Sequence, residues 1–157
     1  MSLEGRSTLH PIYAEASGVE GWIRAELGPT SGEAMVEDGE LVIPLGALSA
    51  GNPLYDAELH RRVDIRRYPT ATGTLMAWEP TTEKGTYLVS GEVSFRGVTR
   101  EAESHMRLSV EDDRTVVLDG SRLFDIRDFG MVPPRLLAVR VHPEVTIHVA
   151  VVARCVD

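Results

Sequence analysis

Between Thr86 and Arg96 the chain alternates: Tyr87, Val89, Gly91, Val93 and Phe95 share one face, and Thr86, Ser90, Glu92, Ser94 and Arg96 fall mainly on the other. Successive side chains of a strand point to opposite sides of a sheet, so a period of two demands a strand with one dry and one wet face. The same period runs through Val19–Leu27, through Ala71, Gly73, Leu75 and Ala77, and through Ala102, Ser104, Met106, Leu108 and Val110. It returns in Val116, Leu118, Gly120, Phe124 and Ile126, with Arg122 as the exception, and in Val145, Ile147, Val149, Val151 and Ala153. Leu41, Ile43 and Leu45 form a shorter strand, and an N-terminal one across Ser7–Ala16 breaks at His10-Pro11. Turn signals stand at Gly28–Gly32, Glu37–Gly39, Glu83–Gly85 and Glu111–Asp113. About eight strands at near-regular spacing predict an all-β, antiparallel barrel or sandwich.

One segment departs from this period. Asn52-Pro53 is a helix start, with Asn as cap and Pro in the first turn. Tyr55, Leu59 and Val63 then recur every fourth residue, which predicts a short amphipathic helix packed on the sheet and ending before Tyr68-Pro69. No linker, repeat or biased tract divides the 157 residues, so a single domain over 1–157 is expected. Part of Met1–Gly5 is compatible with a leader outside the fold.

Charge and residue usage exclude several functions. Asp and Glu number 24 against 16 Lys and Arg, a net charge of −8, where a nucleic-acid binder needs a basic face. The lone Cys155 allows no internal disulfide and no Cys-cluster metal site. No apolar run approaches the ~20 residues of a membrane-spanning helix. No apolar signal core follows Met1–Arg6, which points to the cytoplasm for the chain as given, or to the periplasm or secretion where a signal has been removed.

Candidate chemistry is sparse. His142-Pro143-Glu144 with His148 suggests a metal fragment but has no third fixed ligand, and His10, His60 and His105 are expected as ordinary surface residues. Ser94 and Ser104 sit in mid-strand rather than on a nucleophile elbow. Asp128-Phe129-Gly130 spells a kinase metal-binding triplet without the rest of a kinase. Arg122 falls on an apolar register. Either it meets a ligand head group, or a bulge near Gly120 turns it outward, and the second is the preferred reading. Ala71, Gly73 and Ala77 leave room inside a barrel unless Trp78, Trp22 or Met76 fills it.

Four ordered blocks resemble the YceI-like family: Val63–Pro69, Gly91–Arg100, Phe124–Met131 and Val141–Val149. The resemblance implies an antiparallel, eight-stranded, lipocalin-like barrel with a short helix at one mouth. It implies a binding or carrier protein rather than an enzyme, holding an apolar small molecule such as an isoprenoid quinone, a polyprenyl phosphate or a fatty-acid-like chain. No cofactor and no metal are expected. The inner face would then present Ile23, Ile43, Leu75, Val89, Val93, Phe95, Met106, Leu108, Phe124 and Ile147 to the ligand, with Arg122 and Arg127 as the cations for a head group. The rival is a packed barrel without ligand, a dimerising or stress-related interaction module. A homodimer is compatible with either reading.

Overall fold

A computed structural model describes residues 1–7, 12–27, 34–112, 114–133, 135–136 and 139–154. Its strands, in chain order, are β1 (Ser2–Ser7), β2 (Ile12–Ala16), β3 (Glu20–Leu27), β4 (Ala34–Pro44) and β5 (Leu48–Ser49), then β6 (Thr70–Pro80), β7 (Thr86–Phe95), β8 (Val98–Asp112), β9 (Thr115–Asp125), β10 (Arg135–Leu136) and β11 (Val139–Arg154). Eight of them (β1, β3, β4, β6, β7, β8, β9 and β11) are six residues or longer. They pair in the order β3-β4-β6-β7-β8-β9-β11-β1-β2-β5, with β10 on β11. The chain is therefore all-β, a single antiparallel sheet curled into a half-barrel, with one helix, α1 (Pro53–Val63).

Three expectations change. Residues 2–5 belong to the sheet: β1 pairs with β11 at Leu3↔Ile147 and with β2 at Leu3↔Ala14. Glu37–Gly39 is no turn but lies inside β4. There Arg24 faces Asp38 and Ala25 faces Val36, so Glu37 is the extra residue of a bulge, and Arg24 Nη1 donates to Asp38 Oδ2 at 3.3 Å. In β6, Leu75 faces Gly91 but Ala77 faces Ser90 and Trp78 faces Val89. This bulge at Met76 moves Ala77 off the inner register and puts Trp78 on it. The Gly28–Gly32 turn, His10-Pro11 and Cys155 lie outside the described residues.

The helix forms where its cap dictates. Asn52 Oδ1 accepts from the Leu54 and Tyr55 amides at 2.9 and 3.3 Å. Asp56 accepts from the Ala50 amide at 2.6 Å and from Ser49 Oγ at 2.8 Å, tying the first turn to β5. His60, expected to be an ordinary surface residue, holds the other end: its Nε2 lies 2.7 Å from the Leu48 carbonyl. The helix stops one turn before Tyr68, because Asp64 enters the left-handed region at φ 61°. Its buried side is the expected one, with Val63 2% exposed, Leu59 beside it and Tyr55 against Val141.

Two apolar clusters result. Near the helix, Ala16, Leu45, Leu48, Val63, Ala71 and Met131 are buried together, with Ile43, Phe95 and Ile126 packed on them. In the second cluster, Val36, Leu108, Val116 and Leu118 are buried, joined by Ile23, Ala25, Leu75, Trp78, Tyr87, Met106 and Val151.

The family-like blocks meet beside the first cluster. Phe95 pairs with Val98 across the two-residue turn Arg96-Gly97, whose φ values of 52° and 73° define a hairpin turn that follows the sheet twist. Arg96 Nη1 donates to the Gly130 carbonyl at 2.6 Å and Arg100 Nε to the Asp128 carbonyl at 3.2 Å. Phe95 meets Phe129 edge-on at 5.7 Å. A Cβ on Gly97 would stand 3.1 Å from the Tyr68 ring. Gly97→Ala is therefore expected to cost about 1 kcal/mol or more, from the positive φ and the crowding together. For a domain of this size that lowers the melting temperature by about 2–4 °C, measurable by thermal denaturation.

Candidate ligand cavity

Between the two clusters the inner wall thins. Along β6, Ala71 belongs to the helix-side cluster and Leu75 to the other, and Gly73 lies between them. Along β9, Leu118 lies in the second cluster and is followed on the same register by Gly120, Arg122 and Phe124. The space left is a cavity of about 920 Å³. Such a volume lies within the common range for small-molecule sites. Five glycines line it: Gly21, Gly39, Gly73, Gly91 and Gly120. Gly73 alone among them offers open space, with nothing within 4 Å of a Cβ built on it. None of the three side chains that could have filled the barrel closes this band. Trp22 and Met76 are 51% and 60% exposed, and Trp78 belongs to the second cluster, its ring 4.9 Å from that of Tyr87.

Of the residues expected to face a ligand, Ile23, Leu75, Val89, Val93, Met106, Phe124, Ile147 and Arg122 line this cavity. Ile43 and Phe95 pack instead on the helix-side cluster, and Leu108, 4% exposed, is sealed in the second. Arg127 lies outside the cavity. It follows the end of β9 in the 3-10 turn Ile126–Phe129, and its Nη2 and Nε reach Asp125 at 2.6 and 3.0 Å. Those hydrogen bonds hold the Asp125 carboxyl below its ordinary value. Sequence reasoning passed over Leu41, Leu118, Val149 and Val151, which also line the cavity. All four lie on alternating registers already recognised.

Arg122 is where the preferred sequence reading gives way. The β9–β11 ladder runs without a break from Asp125 to Thr115, and Arg122 faces Ile147 within it. With no bulge near Gly120, nothing turns the residue outward. Its guanidinium carbon lies 5.0 Å from the centre of the Phe124 ring. Its Nη1 is buried and has no hydrogen-bond partner, as does Trp78 Nε1.

A second hollow of about 1080 Å³ touches His105, Arg107, Asp119, Ser121 and His148. Among the described residues no three His, Cys, Asp or Glu side chains lie close enough to hold a metal, the His142, Glu144 and His148 group included. No helix among them is long and apolar enough to cross a membrane.

The chain is a curled antiparallel sheet around a mostly apolar hollow, with a helix packed on one of its two clusters. Residues 6–153 match the YceI-like domain model, and the chain belongs to that family. Among solved structures it is similar to Burkholderia cenocepacia BcnA, with a TM-score of 0.79 at 17% identity over 97% of this chain and 94% of that one. It is similar to a polyisoprenoid-binding domain from Saccharophagus degradans implicated in plant cell wall breakdown, with a TM-score of 0.74 at 11% identity over 99% and 94%. A Campylobacter jejuni YceI protein has a TM-score of 0.70 at 14% identity over 92% and 85%. Comparison with curated proteins finds no match.

Proposed function

We propose that this protein binds a long apolar chain, polyisoprenoid or otherwise lipid-like, within the curled sheet, and acts as a carrier or binder rather than an enzyme. The observation that carries this is the hollow at Gly73: a mostly apolar wall with a gap where a packed core would put side-chain bulk. The family and the polyisoprenoid-binding neighbour support the same reading. Ile23 and Ala25 of β3 share a cluster with Val151 of β11, and β5 follows β4 through the turn Leu45–Ala47 to pair with β2. These contacts across the hollow support a sheet that doubles back into an eight-stranded, lipocalin-like barrel with α1 at one mouth. Each buried methylene contributes roughly 0.8 kcal/mol, so affinity should climb with chain length until the cavity is full.

Native mass spectrometry of protein purified from its own host, followed by organic extraction, tests the reading. The expected result is one lipid-like molecule per chain, with saturable binding of the neutral fluorophore N-phenyl-1-naphthylamine after delipidation. No bound mass and no saturable probe binding would overturn it in favour of the packed, ligand-free module.

A further inference from the structure

We infer that the ligand is an amphiphile with an acid head group, a carboxylate or a phosphate, and that Arg122 receives that head from the cavity wall. The inference rests on the cavity being the ligand site. Arg122 lies on the inner register between Gly120 and Phe124, opposite Ile147. Other arginines of the sheet and helix have acidic partners: Arg24 with Asp38, Arg61 and Arg62 with Glu58, Arg107 with Asp119, and Arg127 with Asp125. Arg122 lies over the Phe124 ring, and its Nη1 has neither solvent nor an acceptor among the described residues. The chain carries 24 acidic residues, yet none of the described ones forms an ion pair with it. Arg122 itself is half-buried, but a guanidinium nitrogen cut off from both water and an acceptor is costly, and contact with a ring offsets only part of that cost. An acid arriving through the cavity supplies the missing acceptor, and the planar fork of Arg suits the paired oxygens of a carboxylate or phosphate.

The surrounding wall gives such a head a place to sit. The β8–β9 ladder runs from Asp112↔Thr115 only as far as Met106↔Gly120. Past that point Val98–His105 keep their pairing with β7, and Ser121–Asp125 keep theirs with β11. No ladder pair joins the two stretches, and the seam is spanned by Ser104 Oγ donating to the Ser121 carbonyl at 3.2 Å and by Arg100 Nε donating to the Asp128 carbonyl. Arg122 stands two residues beyond the last ladder pair. The head group therefore sits at the parting of β8 and β9, and the tail runs inward toward Gly73.

The test displaces N-phenyl-1-naphthylamine with hexadecanoic acid, hexadecyl phosphate and hexadecanol at pH 8. In the native protein at least one of the two acids should bind about 10–100-fold more tightly than the alcohol, the range expected for a charge-assisted hydrogen bond. Whichever acid shows the larger ratio identifies the head group. In Arg122→Met, and separately in Arg122→Gln, that ratio should fall to about one, while hexadecanol keeps its affinity. Equal binding of acids and alcohol by the native protein, or a ratio unchanged in both variants, would overturn the head-group assignment and leave the cavity standing. Failure of all three compounds and of the probe to bind would overturn the cavity reading, and the head group with it.

Discussion

Gly73→Phe should weaken the longest chains by about 100-fold while leaving the fold intact. Gly73 lies mid-strand in β6, facing Leu41 on one side and Val93 on the other, and a Cβ there meets nothing within 4 Å. A phenyl group enters the cavity without displacing backbone, and Phe is a better strand former than Gly. Displacing about four methylenes of bound chain, at roughly 0.8 kcal/mol each, removes about 3 kcal/mol, or about two orders of magnitude in affinity. Short ligands that end before Gly73 should be untouched. The melting temperature should hold or rise, since the substitution fills space and restricts the unfolded chain. Titration of an isoprenoid alcohol series against the native and variant proteins checks this. Uniform affinity along the series in both proteins would mean that the chain does not pass Gly73.

Much of the architecture was legible because a period of two is hard to mistake. Strands β6 to β9 and β11 and the helix cap at Asn52 follow directly from residue pattern. What escaped were the irregularities. A bulge depends on how two strands meet, and neither Glu37 nor Met76 differs from an ordinary strand residue in isolation. The slip at Met76 exchanges Ala77 for Trp78 on the inner face, which no pattern within β6 reveals. For Arg122 the difference runs the other way: an apolar register interrupted by a charge suggests a bulge, and the ladder has none. Ile43, Phe95 and Leu108 share the inner register but lie at its ends, where the clusters absorb them. Height along a barrel is set by strand stagger, and alternation specifies the face alone.

The most damaging substitution predicted is Gly91→Val, and the contrast with Gly73 shows why. Both glycines belong to the inner register and both line the cavity. A Cβ on Gly91, however, would run into the Thr74 carbonyl oxygen and come within 3.0 Å of its carbon. These are backbone atoms of a neighbouring strand, so no rotamer change relieves the clash, and β6 and β7 must separate beside the bulge at Met76. Gly21 repeats the situation in β3, where a Cβ would run into the Glu40 carbonyl. Glycine allows close backbone approach where a sheet bends sharply, and the same lack of side chains keeps the middle of the wall bare. The residues that permit the curl thus also help to make the hollow. Gly91→Ala should cost about 3 kcal/mol, a large share of the roughly 5–15 kcal/mol that holds a domain together, and Gly91→Val should leave little folded protein. Gly73→Ala is the control: it is expected to be neutral or to stabilise by about 0.4–1 kcal/mol. Urea denaturation of the two alanine variants decides the matter, since equal midpoints for Gly91→Ala and Gly73→Ala would show that close approach at Gly91 is not what the sheet requires.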